Sequence, residues 1–315
     1  MHLNQRSQKS RSRRTVLVGM LCVAGLGLAC SSGSQSEVRP LVPALAPGGT
    51  PAYRPGSFVW FDLLVDDAEA VRSFYAELFG WNLEATDESD RYLSILHDGR
   101  VIGGVSVADE DDSTDRRALW LSSVSAADVD GMTAAAVEAG GSVILEPGEL
   151  PDRGRYSVIA DPQGAPIVLL RSSSGDGVRR SPEARRPGEW LWIELWTTDL
   201  GAAREFYSDI LGYEVEVRAS RSAEEGASAS SSEEDGSSYL VLSRGGDNEA
   251  GMMQLPFDEA NPHWLPFVAV KDVYASVQRV EQLGGRVIVS PDVVGRHDAA
   301  IVVDPAGAVL GLWAD

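Results

Sequence analysis

The sequence predicts an α+β protein of two tandem domains, each made of two modules that run strand, helix, strand, strand, strand. Three observations carry that expectation. The segment from Trp60 to Trp81 returns from Trp192 to Tyr213, with Asp62 and Glu194, Asp67 and Asp199, Phe74-Tyr75 and Phe206-Tyr207, and Gly80 and Gly212 paired at one constant offset. A gapless register of that length is an internal duplication. Trp120 and Trp264, Asp128 and Asp272, Gly140-Gly141 and Gly284-Gly285, and Pro147 and Pro291 keep a second register, so each half holds two modules. Finally, 315 residues, 43% of them hydrophobic, suffice for about two domains with cores of their own.

Each first strand is apolar and leads to an Asp, Asp67 or Asp199, placed to cap a helix. In the first copy Ala70, Val71, Phe74, Tyr75, Leu78 and Phe79 fall on one helical face, and Gly80 supplies a left-handed stop. Strands are expected at 81–85, 91–97 and 101–107, the last two joined by an Asp98-Gly99 hairpin turn. The second module reads as a strand at 118–124, a helix over about 127–139 and strands at 142–146, 156–160 and 166–170, with Asp161-Pro162-Gln163-Gly164 turning into the last. The second half repeats this plan from Glu189 to about Leu255 and again from Trp264, with Asp304-Pro305-Ala306-Gly307 as its late turn. The domains are therefore placed at 57–174 and 189–315. The linker 175–188, with Arg179-Arg180 and Arg185-Arg186, is either solvated or docked on an acidic domain. Residues 219–238, rich in Ser, Glu, Ala and Gly, are expected to form a disordered acidic loop.

Residues 1–29 read as an export signal rather than part of the fold. They carry five basic groups and no acidic ones, and an apolar run from Val16 to Ala29 too short to span a bilayer stably. Arg13-Arg14 before Thr15-Val16-Leu17 resembles a twin-arginine signal, and Leu-Gly-Leu-Ala before Cys30 resembles a lipoprotein processing site. An acylated Cys30 would hold an exported bacterial lipoprotein on a membrane of the cell envelope; an uncleaved anchor or a non-lipidated signal are the alternatives. Residues 30–56, rich in Ser, Gly and Pro, then read as a flexible tether. With Cys22 removed and Cys30 acylated, no disulfide can form in the body of the chain. Beyond the signal, 22 Lys and Arg face 47 Asp and Glu, a balance near −25 that excludes a nucleic-acid role.

The module order, Phe-Tyr followed by Leu-Phe-Gly or Ile-Leu-Gly, the Gly-Gly after the second helix and the Asp-Pro-x-Gly turn together resemble the vicinal oxygen chelate superfamily, over roughly 57–315. That superfamily includes glyoxalase I, extradiol dioxygenases, and bleomycin and fosfomycin resistance proteins. The resemblance implies that two modules form one curved, mixed sheet around a cavity, with the helices outside. In the metalloenzymes of the family, His, Gln or Glu from the first and last strands converge on a divalent ion. Those positions fall here on Trp60 and Trp192, on Trp120 or Leu119, on Trp264 or Leu265, and on Val168 and Gly311. None can coordinate such an ion, so neither a metal at the family position nor another cofactor is expected.

Side chains alternate along a strand, so a cavity-facing Trp60 brings Phe58, Asp62 and Leu64 with it, and Trp192 brings Trp190, Glu194 and Trp196. Trp60, Trp120, Trp192 and Trp264 with Asp62 and Glu194 thus make two candidate ligand sites for a small aromatic or cationic molecule. In the plainer reading the indoles fill disused cavities. Asp62 and Glu194 are the candidates for acid–base catalysis in a metal-independent enzyme, the competing class being a lyase or dioxygenase-like protein with displaced ligands. His263, with Glu194 or Glu249, is the alternative metal set; His97 and His297 read as surface or structural residues. No phosphate cradle, hydrolase elbow or cysteine nucleophile is present. The oligomeric state is open.

Overall fold

The structure, a computed structural model, describes residues 42–48, 51–108, 118–177, 185–218, 239–256, 260–292 and 298–314. Cys30, the loop 219–238, Arg179-Arg180 and His297 lie outside the described residues. Four modules follow one plan. The first holds β1 (Phe58–Val65), α1 (Glu69–Phe79), β2 (Asn82–Ala85), β3 (Tyr92–His97) and β4 (Arg100–Val107); the second holds β5 (Leu119–Ser125), α2 (Val129–Glu138), β6 (Ser142–Leu150), β7 (Gly154–Ala160) and β8 (Pro166–Ser172). In the other half come β9 (Trp190–Thr197), α3 (Leu200–Leu211), β10 (Glu214–Arg218), β11 (Tyr239–Arg244) and β12 (Asp247–Gln254), then β13 (His263–Val270), α4 (Val273–Gln282), β14 (Arg286–Val289), β15 (Ala299–Val303) and β16 (Val309–Ala314).

Each half is one eight-stranded mixed sheet, ordered β2-β3-β4-β1-β5-β8-β7-β6 and β10-β11-β12-β9-β13-β16-β15-β14. The modules join where β1 runs antiparallel to β5, and β9 to β13. The sheets stay open rather than closing into barrels.

Asp128, Asp199 and Asp272 cap α2, α3 and α4 by accepting from an amide three residues on. At α1 the cap position is Ala68; Asp67 stands one residue earlier and accepts from Glu69 N at 2.8 Å. Gly80 and Gly212 end α1 and α3 at φ 72° and 68°, where a side chain would be strained. The apolar faces of these helices do not merely cover their own sheets. One continuous core takes in Phe74 and Tyr75 of the first half with Phe206 and Tyr207 of the second, because α1 packs on α4 and α2 on α3. Across that seam Tyr75 donates to Asp304 Oδ2 at 2.7 Å and Tyr207 donates to Asp161 Oδ2 at 3.2 Å. The other oxygen of each Asp accepts amides of its own late turn.

The linker end is docked. Trp190 donates to Ile102 O at 2.8 Å and packs at a tilt against Phe61 and Trp81, whose own indole donates to Gly188 O. His97 is buried there, its Nε2 3.0 Å from Pro187 O, a structural role.

Candidate functional site

Strand alternation sends Trp60, Asp62 and Leu64 of β1 to the concave side of the first sheet and Leu63 to the helix side. Trp120 sits opposite Leu63 and so shares the helix side; its indole donates to Tyr75 at 3.1 Å. Trp264, opposite Leu195, donates likewise to Tyr207 at 2.9 Å. Trp120 and Trp264 are therefore core residues under the helices, not ligand walls. Phe58 and Trp190 also depart from simple alternation. The pairing register slips between Phe58 and Trp60, and again opposite Trp190 and Trp192, and such a bulge reverses the side on which the next residue falls. Phe58 consequently packs on Trp264, with ring centroids 4.9 Å apart.

On the concave side of domain 1 four side chains converge. Tyr92 donates to Asp62 Oδ1 at 2.7 Å, and the Trp60 indole N–H points to the same oxygen at 2.9 Å and to the Tyr92 hydroxyl at 3.2 Å. Arg153 Nη2 donates to that hydroxyl at 3.0 Å, while its guanidinium lies 4.2 Å from the Trp60 ring centroid, within cation–π range. Burial, then the charge of Asp62, pushes the Tyr92 phenol well above its ordinary range, so it remains a neutral donor. Two local devices make the arrangement possible. Gly104 lies opposite Asp62, where a Cβ would overlap the Tyr92 hydroxyl and the Asp62 carboxylate. The β6–β7 turn takes Asp152 to φ 63° and Gly154 to φ 120°, turning Arg153 inward; at Gly154 a Cβ would strike the backbone of Arg171 to Ser173.

Of these four, Asp62, Tyr92 and Arg153 line a cavity of about 90 Å³, whose other walls are mostly apolar, from Leu64, Leu121, Leu150, Tyr156, Val168 and Leu170, with Ser106 and Ser123 between them. Val42 lines it too, Leu45 packs against the same apolar cluster, and Ala46 N donates to Ser174 Oγ. The later part of the expected tether thus lies against the site.

Domain 2 repeats the polar cluster and fills the hollow. Trp192 donates to Tyr239 at 2.8 Å, Tyr239 donates to Glu194 Oε1 at 2.8 Å, and Trp196 donates to Glu194 Oε2 at 3.2 Å. Gly251 leaves room for Tyr239 as Gly104 does for Tyr92. Here, however, Trp196, Leu265, Phe267, Val289 and Ile301 form a buried cluster on the concave side. Gly311 is opposite Phe267, and a Cβ there would overlap the Phe267 ring. Domain 1 has Ser123 and Val168 at the same two places, and the difference opens its cavity.

The side chains at the family's metal position do not fit a divalent ion. Trp60, Leu119 and Val168, and Trp192, Leu265 and Gly311, offer no donor to a cation, and no three His, Cys, Asp or Glu gather for one among the described residues. His263 Nδ1 is 2.8 Å from Asn261 O, and burial lowers its basicity. Both oxygens of Glu194 accept from neighbours, and Glu249 accepts from Ser57.

Tyr92, Tyr239 and Arg153 were not singled out by the sequence. A signal exists: each Tyr starts the strand before the Gly-bearing one, and Arg stands eight residues before Asp161 and again, as Arg296, before Asp304. Arg296 lies outside the described residues.

Comparison with known proteins agrees with the fold. The chain is 31% identical over 270 residues to the anthracycline biosynthesis protein DnrV of Streptomyces peucetius, covering 81% of this chain and 92% of that protein. It is 28% identical over 267 residues to CFP32 of Mycobacterium tuberculosis, named as a candidate glyoxylase, covering 82% of this chain and 95% of that protein. The Mn(II)-bound glyoxalase of Novosphingobium aromaticivorans superposes with a TM-score of 0.53 at 18% identity, over 84% of this chain and 83% of that one, which shows a shared fold. Residues 57–169 and 190–312 each match one family, and the chain belongs to the glyoxalase/bleomycin resistance protein/dioxygenase superfamily.

Proposed function

We propose that the protein binds a small organic molecule in the cavity of domain 1 without a metal ion, and does so at a membrane surface in the cell envelope, held there by an acylated Cys30. The observation that carries the binding reading is a mostly apolar cavity lined at one place by the hydrogen-bonded Asp62, Tyr92 and Arg153, the pattern of a pocket with a few oriented polar groups. Domain 2, with its hollow filled by Phe267 and Trp196, serves as the structural partner through the shared core. An aromatic ligand accords with the relative named for anthracycline biosynthesis. A cationic one does not accord with the site, because the Arg153 guanidinium already occupies the face of Trp60.

The enzyme reading has one observation in its favour: the Trp60 and Tyr92 donors both bond Asp62 Oδ1, and among the described residues no donor is bonded to Oδ2, the oxygen that would serve in proton transfer. Elemental analysis of the purified protein and calorimetric titration with aromatic compounds separate these readings. Heat of binding in metal-free protein, with compounds recovered unchanged, is the expected result. A stoichiometric transition metal required for binding, or turnover lost in Asp62→Asn, would replace the proposal. Release of the protein from membranes by Cys30→Ser is expected, and retention of the variant would remove the lipid anchor.

A further inference from the structure

We infer that the domain 1 cavity selects an uncharged hydroxyl compound with an apolar body, its O–H donating to Asp62 Oδ2. This rests on the binding function proposed above and specifies its ligand. Asp62 lines the cavity from the middle of β1, with Gly104 of β4 on one flank and Leu121 of β5 on the other. Because β1 is a central strand of its sheet, the half-buried side chain is reached from the concave hollow. Its Oδ1 is taken by the Trp60 indole and the Tyr92 hydroxyl. Oδ2 has no donor among the described residues, yet it is not sealed from solvent. An ionised carboxylate only accepts, and its hydrogen bonds are of the stronger kind. The hollow therefore offers an incoming O–H a strong acceptor.

Charge and hydrogen-bonding capacity narrow the class of head group. The Tyr92 hydroxyl that donates to Asp62 also accepts from Arg153, so the carboxylate has a cation close by before a ligand arrives. A ligand cation would meet that guanidinium at the face of Trp60. A ligand carboxylate would meet Asp62, and like charges at short range in a low-dielectric site repel strongly. An ether brings a second acceptor to the carboxylate and leaves Oδ2 unpaired. A hydroxyl supplies the missing donor and adds no charge. The hydroxyls of Ser106 and Ser123, also on the lining, either donate or accept, so the preference for a donor is set by Asp62. In size, a cavity of about 150 Å³ encloses benzene, so about 90 Å³ admits the hydroxyl-bearing end of a single ring.

The test is a matched series titrated by calorimetry into the full chain: the isomers para-cresol, benzyl alcohol and anisole, with benzylammonium and benzoate as the ions. Both hydroxyl compounds are expected to bind about tenfold more tightly than anisole, the worth of one hydrogen bond to a carboxylate, and the ions more weakly than either. In Asp62→Asn the Trp60 and Tyr92 donors hold the amide oxygen in the place of Oδ1, which leaves an N–H in the place of Oδ2. The order should then invert, anisole binding at least as tightly as para-cresol. Ser106→Ala, Ser123→Ala and Tyr156→Phe, which alter the other hydroxyls on the lining, should each keep the hydroxyl preference to within about twofold. Should Asp62→Asn lose cooperative thermal unfolding, these three variants decide the assignment. No advantage of the hydroxyl isomers over anisole, tightest binding of either ion, an unchanged preference in folded Asp62→Asn, or loss of the preference in any of the three would each overturn the inference while leaving a binding site in place. Failure of all five compounds to bind the unaltered chain would instead overturn the binding function itself.

Discussion

At the scale of single residues, the site depends on a phenol that serves two charges. Replacing Tyr92 by Phe removes a donor from Asp62 and an acceptor from buried Arg153, and stranding such groups costs roughly 1–3 kcal/mol. Urea unfolding of Tyr92→Phe is expected to show a loss of that order, and a loss under about 0.5 kcal/mol would contradict the bonded cluster. Two neighbouring positions decide whether a hollow is open. Phe267 and Gly311 fill domain 2 where Ser123 and Val168 leave domain 1 open. The pair Ser123→Phe and Val168→Gly in one chain should therefore close the cavity and abolish ligand uptake while keeping the fold; unchanged uptake in a folded double variant would count against the cavity as the binding place. Trp60, Asp62, Trp192 and Glu194 were readable from the duplication because one strand carries each pair. Arg153 and Tyr92 were harder, since they reach the same point from other strands and a turn.

At the scale of elements, strand alternation was a sound guide until a bulge intervened. The slips beside Phe58 and Trp190 turn both rings toward the helix layer, and nothing in the local composition announces them. Trp120 and Trp264 escaped for a different reason: the register of β5 against β1, and of β13 against β9, is set by pairing between distant segments, and a shift of one residue exchanges the two faces. The segment from Val42 to Ala46 is another element the composition did not reveal. Leu45 covers the apolar wall of the cavity, so Leu45→Ser is expected to speed ligand entry in stopped-flow measurements with little change in the urea midpoint. An unaltered rate would place the entry path elsewhere.

For the whole molecule, one core shared by both helix layers predicts a single cooperative transition rather than two. The reciprocal bonds from Tyr75 to Asp304 and from Tyr207 to Asp161 cross that core. Burial raises both carboxyls above the ordinary value near 3.8, outweighing the lowering by their hydrogen bonds. A raised folded value means that the folded state holds the proton more tightly than the unfolded chain. The associated stability is complete below the unfolded value and is lost as pH rises through the folded one. Thermal melts should therefore show Asp161→Asn flattening the fall in stability on the neutral side of 3.8; an identical pH profile would show that this group does not titrate differently on folding. Tyr75→Phe takes the donor from Asp304 Oδ2 and the acceptor from the Trp120 indole, and should lower the melting temperature through a stability loss of roughly 1–3 kcal/mol.

The sequence by itself determined the four modules, their order and the pairing of halves, because repeats, caps and periodicity are local properties written at fixed spacing. It also placed indole, aliphatic side chains and glycine where the family's metalloenzymes are expected to carry their ligands. Only the tertiary structure decided that one hollow is open and the other filled, that two of the four tryptophans lie behind the sheet, and that an arginine completes the site. Those outcomes depend on register, bulges and turn conformation, through which residues far apart in the chain come to face one another.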